Sequence, residues 1–213
     1  RDVTTTFVDV TVRRNIIVDS WSTTSHSQGM FASGVDGLVI EENVFDHNGW
    51  NGEIGGAEKT IFNHGMYLTT TVENVTVQKN IISRSSSMGV KLQPYIGTHA
   101  VSDNLLVENA IGLQLGGGQI NDTNRYGVDS IVAERNVILS GTDDSAAKGW
   151  GANMTNVKSG VFRDNIIAHK ATTPTAHAFA LLDGYFGTYG VGVQNVSVEN
   201  NIVYKWRGGL EIW

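Results

Sequence analysis

The stretch His64-Gly65-Met66-Tyr67 sets an imidazole and a phenol three residues apart, and Lys91 and Gln93 follow in the stretch Gly89-Val90-Lys91-Leu92-Gln93. Imidazole, amine and phenol are side chains that move protons in catalysis, and amides hold developing negative charge. One reaction that uses all of them is elimination beside a carboxylate. It needs a group that neutralises the carboxylate, a base that removes the proton alpha to it, and an acid that protonates the departing oxygen. His64 or Lys91 would be the base, and Tyr67 the acid. Gln93, Gln114 and Arg125 would be the neutralising groups. A lysine base needs its pKa lowered by burial or by neighbouring positive charge. His26, Gln28, Tyr95 and Tyr126 complete the set that could hold a substrate.

These residues are scattered over a hundred positions, so a regular scaffold must bring them together. One phrase recurs throughout the chain: apolar-x-apolar-x-x-Asn-apolar-apolar. Its asparagines are Asn15, Asn43, Asn80, Asn104, Asn136, Asn165 and Asn201, spaced 28, 37, 24, 32, 29 and 36 residues apart. Units of this length with variable insertions suit a solenoid, one unit per coil. The units are short, β-branched and alternating, with no helical periodicity. Asn-Gly, the signal of a tight hairpin, occurs only in the 46–61 insertion. The expected fold is therefore all-β: a right-handed single-stranded parallel β-helix of about seven coils, as one domain over residues 1–213. The asparagines should form an inward ladder.

A second strand follows each asparagine turn, with the pattern Gly-apolar-x-apolar-x. Met30, Met66, Val90, Leu113, Ala152, Phe179 and Leu210 should point inward, and the preceding glycine should allow a sharp bend. Phe31, Tyr67, Lys91, Gln114, Asn153, Ala180 and Glu211 then form an outward column. Ser33, Thr69, Gln93, Gly116, Thr155, Leu182 and Trp213 form another. Neighbouring rungs lie about 4.8 Å apart. His64, Tyr67, Lys91, Gln93 and Gln114 would converge on one patch, with the 46–61 insertion and the loops after Gln93 and Gln114 at its margins. The chain starts just before one strand and stops inside another, with no polar cap at either end. It is expected to be a segment of a longer solenoid, or to have its ends covered by an oligomeric partner or by additional coils.

Composition narrows the function. The formal charge of −6 argues against general nucleic-acid binding, and no run is long and apolar enough for a membrane-spanning helix. There is no cysteine, hence no disulfide and no thiol chemistry. Hydrolysis of a glycoside wants a carboxylate pair, and the outward columns offer only Glu211. No cofactor is demanded by these patterns. Ca²⁺ is the metal such a groove would take, yet Asp46-His47-Asn48 and Asp143-Asp144 each fall short of its six to eight oxygens.

With its "VTVRRNII", "VTVQKNII" and "GVFRDNII" units, the chain resembles the right-handed parallel β-helix proteins of the pectate-lyase-like superfamily, over essentially all seven coils. "NHGMYL" and "GVKLQ" look like the outward faces where lyases of that superfamily keep catalytic groups. The "DPH" signature of alginate epimerases and the "GHG" of polygalacturonases are absent. The resemblance implies a secreted, periplasmic or cell-surface bacterial protein with an anionic polysaccharide as its partner. It implies a lyase that cleaves uronate-containing polymers by β-elimination. Alternatives within the same fold are a glycoside hydrolase, a uronate epimerase, or a non-catalytic carbohydrate-binding or structural solenoid. In the last case His64 is a polar turn residue, Tyr67 a ladder aromatic and Lys91 a solvated charge.

Overall fold

A computed structural model describes residues 7–69, 71–116, 127–139, 149–169, 176–182 and 192–213. These residues wind into a right-handed parallel β-helix of seven coils, built from three parallel seven-stranded sheets. The first sheet runs Phe7–Arg13, Val35–Glu41, Thr76–Gln78, Thr98–Ser102, Ser130–Glu134, Gly160–Arg163 and Val196–Glu199. After a one-turn corner comes the second: Ile16–Val18, Val44–Asp46, Ile81–Ser83, Leu105–Val107, Val137–Leu139, Ile166–Ala168 and Ile202–Tyr204. The third, which carries the candidate site, comprises Gln28–Ala32, His64–Leu68, Met88–Leu92, Ile111–Leu115, Ala152–Thr155, His177–Leu182 and Gly208–Ile212.

The seven asparagines superpose as expected. Each Asn side-chain nitrogen donates to the side-chain oxygen of the Asn one coil on, six times in succession at 3.0 Å. Asn43 and Asn80 also close their own corners by donating to the carbonyls of Glu41 and Gln78. The corner requires a left-handed backbone at the residue before the ladder Asn, φ being 58° at Arg14 and 54° at Arg135. A second set of buried amides lies outside the repeated phrase. Asn48 and Asn109 bond across coils at the next corner, accepting from the Ser20 and Ser85 amides and donating to the Ile17 and Ile82 carbonyls. Asn104→Ala removes an acceptor that serves both the Asn80 amide and the Asn80 side chain, at 3.0 Å each. It should lower unfolding free energy by about 2 kcal/mol, the scale for orphaned buried groups. A urea titration checks this.

Inside the coil the predicted inward residues meet in register: Met66 with Val90, Val90 with Leu113, Leu113 with Ala152 and Ala152 with Phe179. All are buried. Leu210, also expected inward, is exposed, because no further coil of this structure stacks on its rung. The glycines before these strands are corrected in their role. Gly65, Gly89, Gly112 and Gly151 do not have a left-handed backbone. They are needed for space: a Cβ on Gly112 would lie 2.6 Å from the Gly151 carbonyl oxygen and 2.7 Å from Ile138 Cγ2.

His99 sits inside the first sheet. Its Nδ1 accepts from the Val75 amide at 3.2 Å and its Nε2 bonds the Ile96 carbonyl at 3.0 Å. Burial depresses its pKa from 6.5 to about 4. Between those values the unfolded chain binds a proton that the folded chain refuses. Stability is fully present above pH 6.5 and falls as pH drops toward 4. About 2–3 kcal/mol should be lost across this window. His64, also depressed, adds to the loss in the same direction. Denaturant midpoints at pH 7.5 and pH 4.5 should show the fall before most carboxylates titrate.

Candidate functional site

The third sheet fixes the outward column as the sequence pattern requires. Phe31 pairs with Tyr67, Tyr67 with Lys91, and Lys91 with Gln114. Tyr67 and Lys91 therefore share one face. The Lys91 ammonium lies 4.5 Å from the centre of the Tyr67 ring. The Phe31 ring meets the other side of Tyr67 edge-on, centroids 5.8 Å apart. The Tyr67 hydroxyl donates to Gln93 Oε1 at 3.3 Å. Burial, and then the nearby Tyr95 phenol, hold the Tyr67 pKa above its ordinary value, so the phenol keeps its proton. Burial lowers that of Lys91.

His64 differs from expectation. It does not stand open beside Tyr67; it is 1% exposed, with its ring edge-to-face against the Tyr67 ring at 5.4 Å. The physical reason is its packing: the ring lies against Ser87 Oγ of the next coil at 2.7 Å and against the Tyr67 ring. Asn63 donates to the Gly49 carbonyl at 2.7 Å and accepts from the Ser27 amide at 3.0 Å, tying the insertion to the preceding coil. Farther out, Trp50 donates to the Arg84 carbonyl at 2.8 Å.

The environment of His64 decides its tautomer. Ser87 Oγ has one proton and lies 2.5 Å from the Asn63 carbonyl, an acceptor only. The serine therefore donates there and accepts from His64 Nδ1–H at 2.7 Å. In the neutral ring Nε2 then holds the lone pair. Among the described residues no hydrogen bond to Nε2 is seen. Burial, followed by the Lys91 and His26 charges, drives the His64 pKa well below 6.5, with the Asn63 carbonyl pulling weakly the other way. Near neutral pH His64 is a neutral base. Ser87 is absent from the sequence-based candidates; its only signal is its place in "SSSMGV", one rung from His64.

The remaining candidates separate. Gln28 commits both ends of its amide to backbone, accepting from the His64 amide at 2.7 Å and donating to the Phe62 carbonyl at 3.0 Å, so it braces the strand. His26 is exposed and stacks flat on Phe62, centroids 5.4 Å apart. Tyr95 is half-buried and close enough to Tyr67 to raise its pKa. Gln114 is buried, contrary to its expected place in the patch. From its rung through that of Ala180 the outward face is closed, and Ala180 and Leu182 join a second apolar cluster with Met88, Ile111 and Trp150. Arg125, Tyr126, Asp143 and Asp144 lie outside the described residues. Around the candidate groups the open part of the column is Phe31, Tyr67 and Lys91, with Phe31 60% exposed; Glu211, on the last rung, is half-buried.

Asp46, His47 and Asn48 do not fit a cation. Asp46 is held by Ser83 and Arg84, His47 Nδ1 meets Asp19 at 2.7 Å, and Asn48 belongs to the corner ladder. Among the described residues no cluster of three or more His, Asp or Glu could hold a metal. No family model, curated protein or solved structure matches the chain.

Proposed function

We propose that the protein is a polysaccharide lyase of the pectate-lyase-like kind, acting outside the cytoplasm on a uronate-containing polymer. What carries this reading is a neutral, orphaned imidazole nitrogen, His64 Nε2, beside a protonated phenol and an ammonium on adjacent rungs of one face. The Lys91 ammonium pairs with the uronate carboxylate and makes the adjacent C–H more acidic. His64 Nε2 takes that proton. The electron pair forms the ring double bond as the glycosidic C–O bond breaks, and Tyr67 gives its proton to the departing oxygen. Gln93 orients the phenol, and Phe31 offers a face on which a sugar ring can stack.

A non-catalytic carbohydrate-binding solenoid is the second reading, and the burial of His64 favours it. One assay separates the two: incubation with a panel of uronate polymers, monitored for the ultraviolet absorbance of unsaturated uronates. Lysis gives a rising signal. Binding without any rise, on every polymer tested, defeats the lyase reading.

A further inference from the structure

The repeat contains a residue that the core does not use. After each ladder Asn come two apolar residues; the second points inward, as Phe45, Ile82, Leu106, Ile138 and Ile167 do. The first points out. Ile16, Val44, Ile81, Leu105, Val137, Ile166 and Ile202 stand in register on the outer face of the second sheet. All seven are aliphatic, and Ile16, Ile81, Ile166 and Ile202 are 77%, 44%, 39% and 59% exposed. An unbroken aliphatic ridge over seven rungs, about 29 Å long, is larger than scattered surface apolars explain.

Charge borders the ridge in a regular order. Six of the seven left-handed corner residues alternate in sign along the solenoid, Arg14, Glu42, Lys79, Asp103, Arg135 and Asp164; the seventh, Asn200 on the last rung, is neutral and lies outside the pairing that follows. A copy turned antiparallel about a two-fold axis along the strands, centred between the Ile81 and Leu105 rungs, sets this column against itself in reverse. Arg14 then faces Asp164, Glu42 faces Arg135 and Lys79 faces Asp103, each pair of opposite sign. On the other border Arg84 faces Glu108, again opposite. The in-chain ion pairs of Arg14 with Glu42 and of Arg135 with Asp103 extend into a network across such an interface. We infer that this face docks a second copy of the chain, antiparallel, ridge on ridge. With its charged borders the footprint is roughly 600 Å² per copy, somewhat under a standard interface, so the dimer is weak.

Sedimentation velocity on the full chain, from about 1 to about 200 μM, tests this. The weight-average mass should climb from the 23.0 kDa monomer toward twice that value. Ile81→Thr with Leu105→Thr, both compatible with an exposed strand, should hold the protein monomeric throughout with an unchanged far-ultraviolet spectrum. Lys79→Glu, which places like charges across the axis, should weaken association about 10-fold. A protein monomeric at the highest concentration overturns the inference and leaves the ridge to another occupant. So does a dimer that the threonine pair does not disturb, or one that Lys79→Glu tightens.

Discussion

Tyr67→Phe is expected to leave the fold intact and to cut turnover on a uronate polymer about 100-fold or more, the usual scale for losing a proton-transfer group. The hydroxyl makes one bond, to Gln93 at 3.3 Å, while the ring contacts with Phe31, His64 and Lys91 survive in phenylalanine. Thermal unfolding should therefore barely move. His64→Ala should be at least as damaging to turnover and somewhat destabilising, because Ser87 Oγ loses the donor it accepts from while keeping its bond to the Asn63 carbonyl. The pH profile supplies an independent check. A base whose pKa lies well below 6.5 stays deprotonated until the solution is acidic, so the acid limb of kcat/KM should fall below the ordinary histidine value. An acid limb at or above pH 7 would remove His64 from the role of base. Ser33→Ala, on the outward column one rung away, should change little.

Gly151→Ala, at the entrance to the third-sheet strand Ala152–Thr155, should be strongly destabilising. The added Cβ would overlap the Ala178 carbonyl oxygen and lie 2.6 Å from Ile167 Cγ2, and neither is the end of a flexible chain. The carbonyl belongs to the next rung, so relief requires the two coils to part, which strains the ladder on both sides. A loss of at least about 3 kcal/mol is expected, at the upper end for overpacking a filled core. Gly209→Ala is the control, since a Cβ there meets nothing within 4 Å. Urea midpoints of the two variants should differ widely; equal midpoints would mean that the coils slide apart easily.

Much of this architecture is legible because a solenoid is nearly one-dimensional. Each coil contacts mainly its neighbours, so the period, the ladder asparagines and the alternation of Met66, Tyr67 and Leu68 fix the register locally. The pairing of Phe31, Tyr67, Lys91 and Gln114 comes from counting residues after each Asn. Counting does not show what lies above a face. The pattern places His64 on the open patch, yet it is buried, packed against Ser87 of the next coil and the Tyr67 ring. Gln114 shares the column with Lys91 but not its exposure, since the outer face of the sheet is closed from that rung through that of Ala180. Nor does the order of residues name Ser87 as the acceptor that leaves His64 Nε2 with a lone pair, since that bond joins residues 23 positions apart through side-chain rotamers. Coil, ladder and the direction of each side chain are written in the chain itself, because they depend on a period of two along strands and one stacked unit per turn. Exposure, tautomer and the spatial role of the glycines arise only in three dimensions, because they depend on loops and neighbouring rungs that no local period encodes.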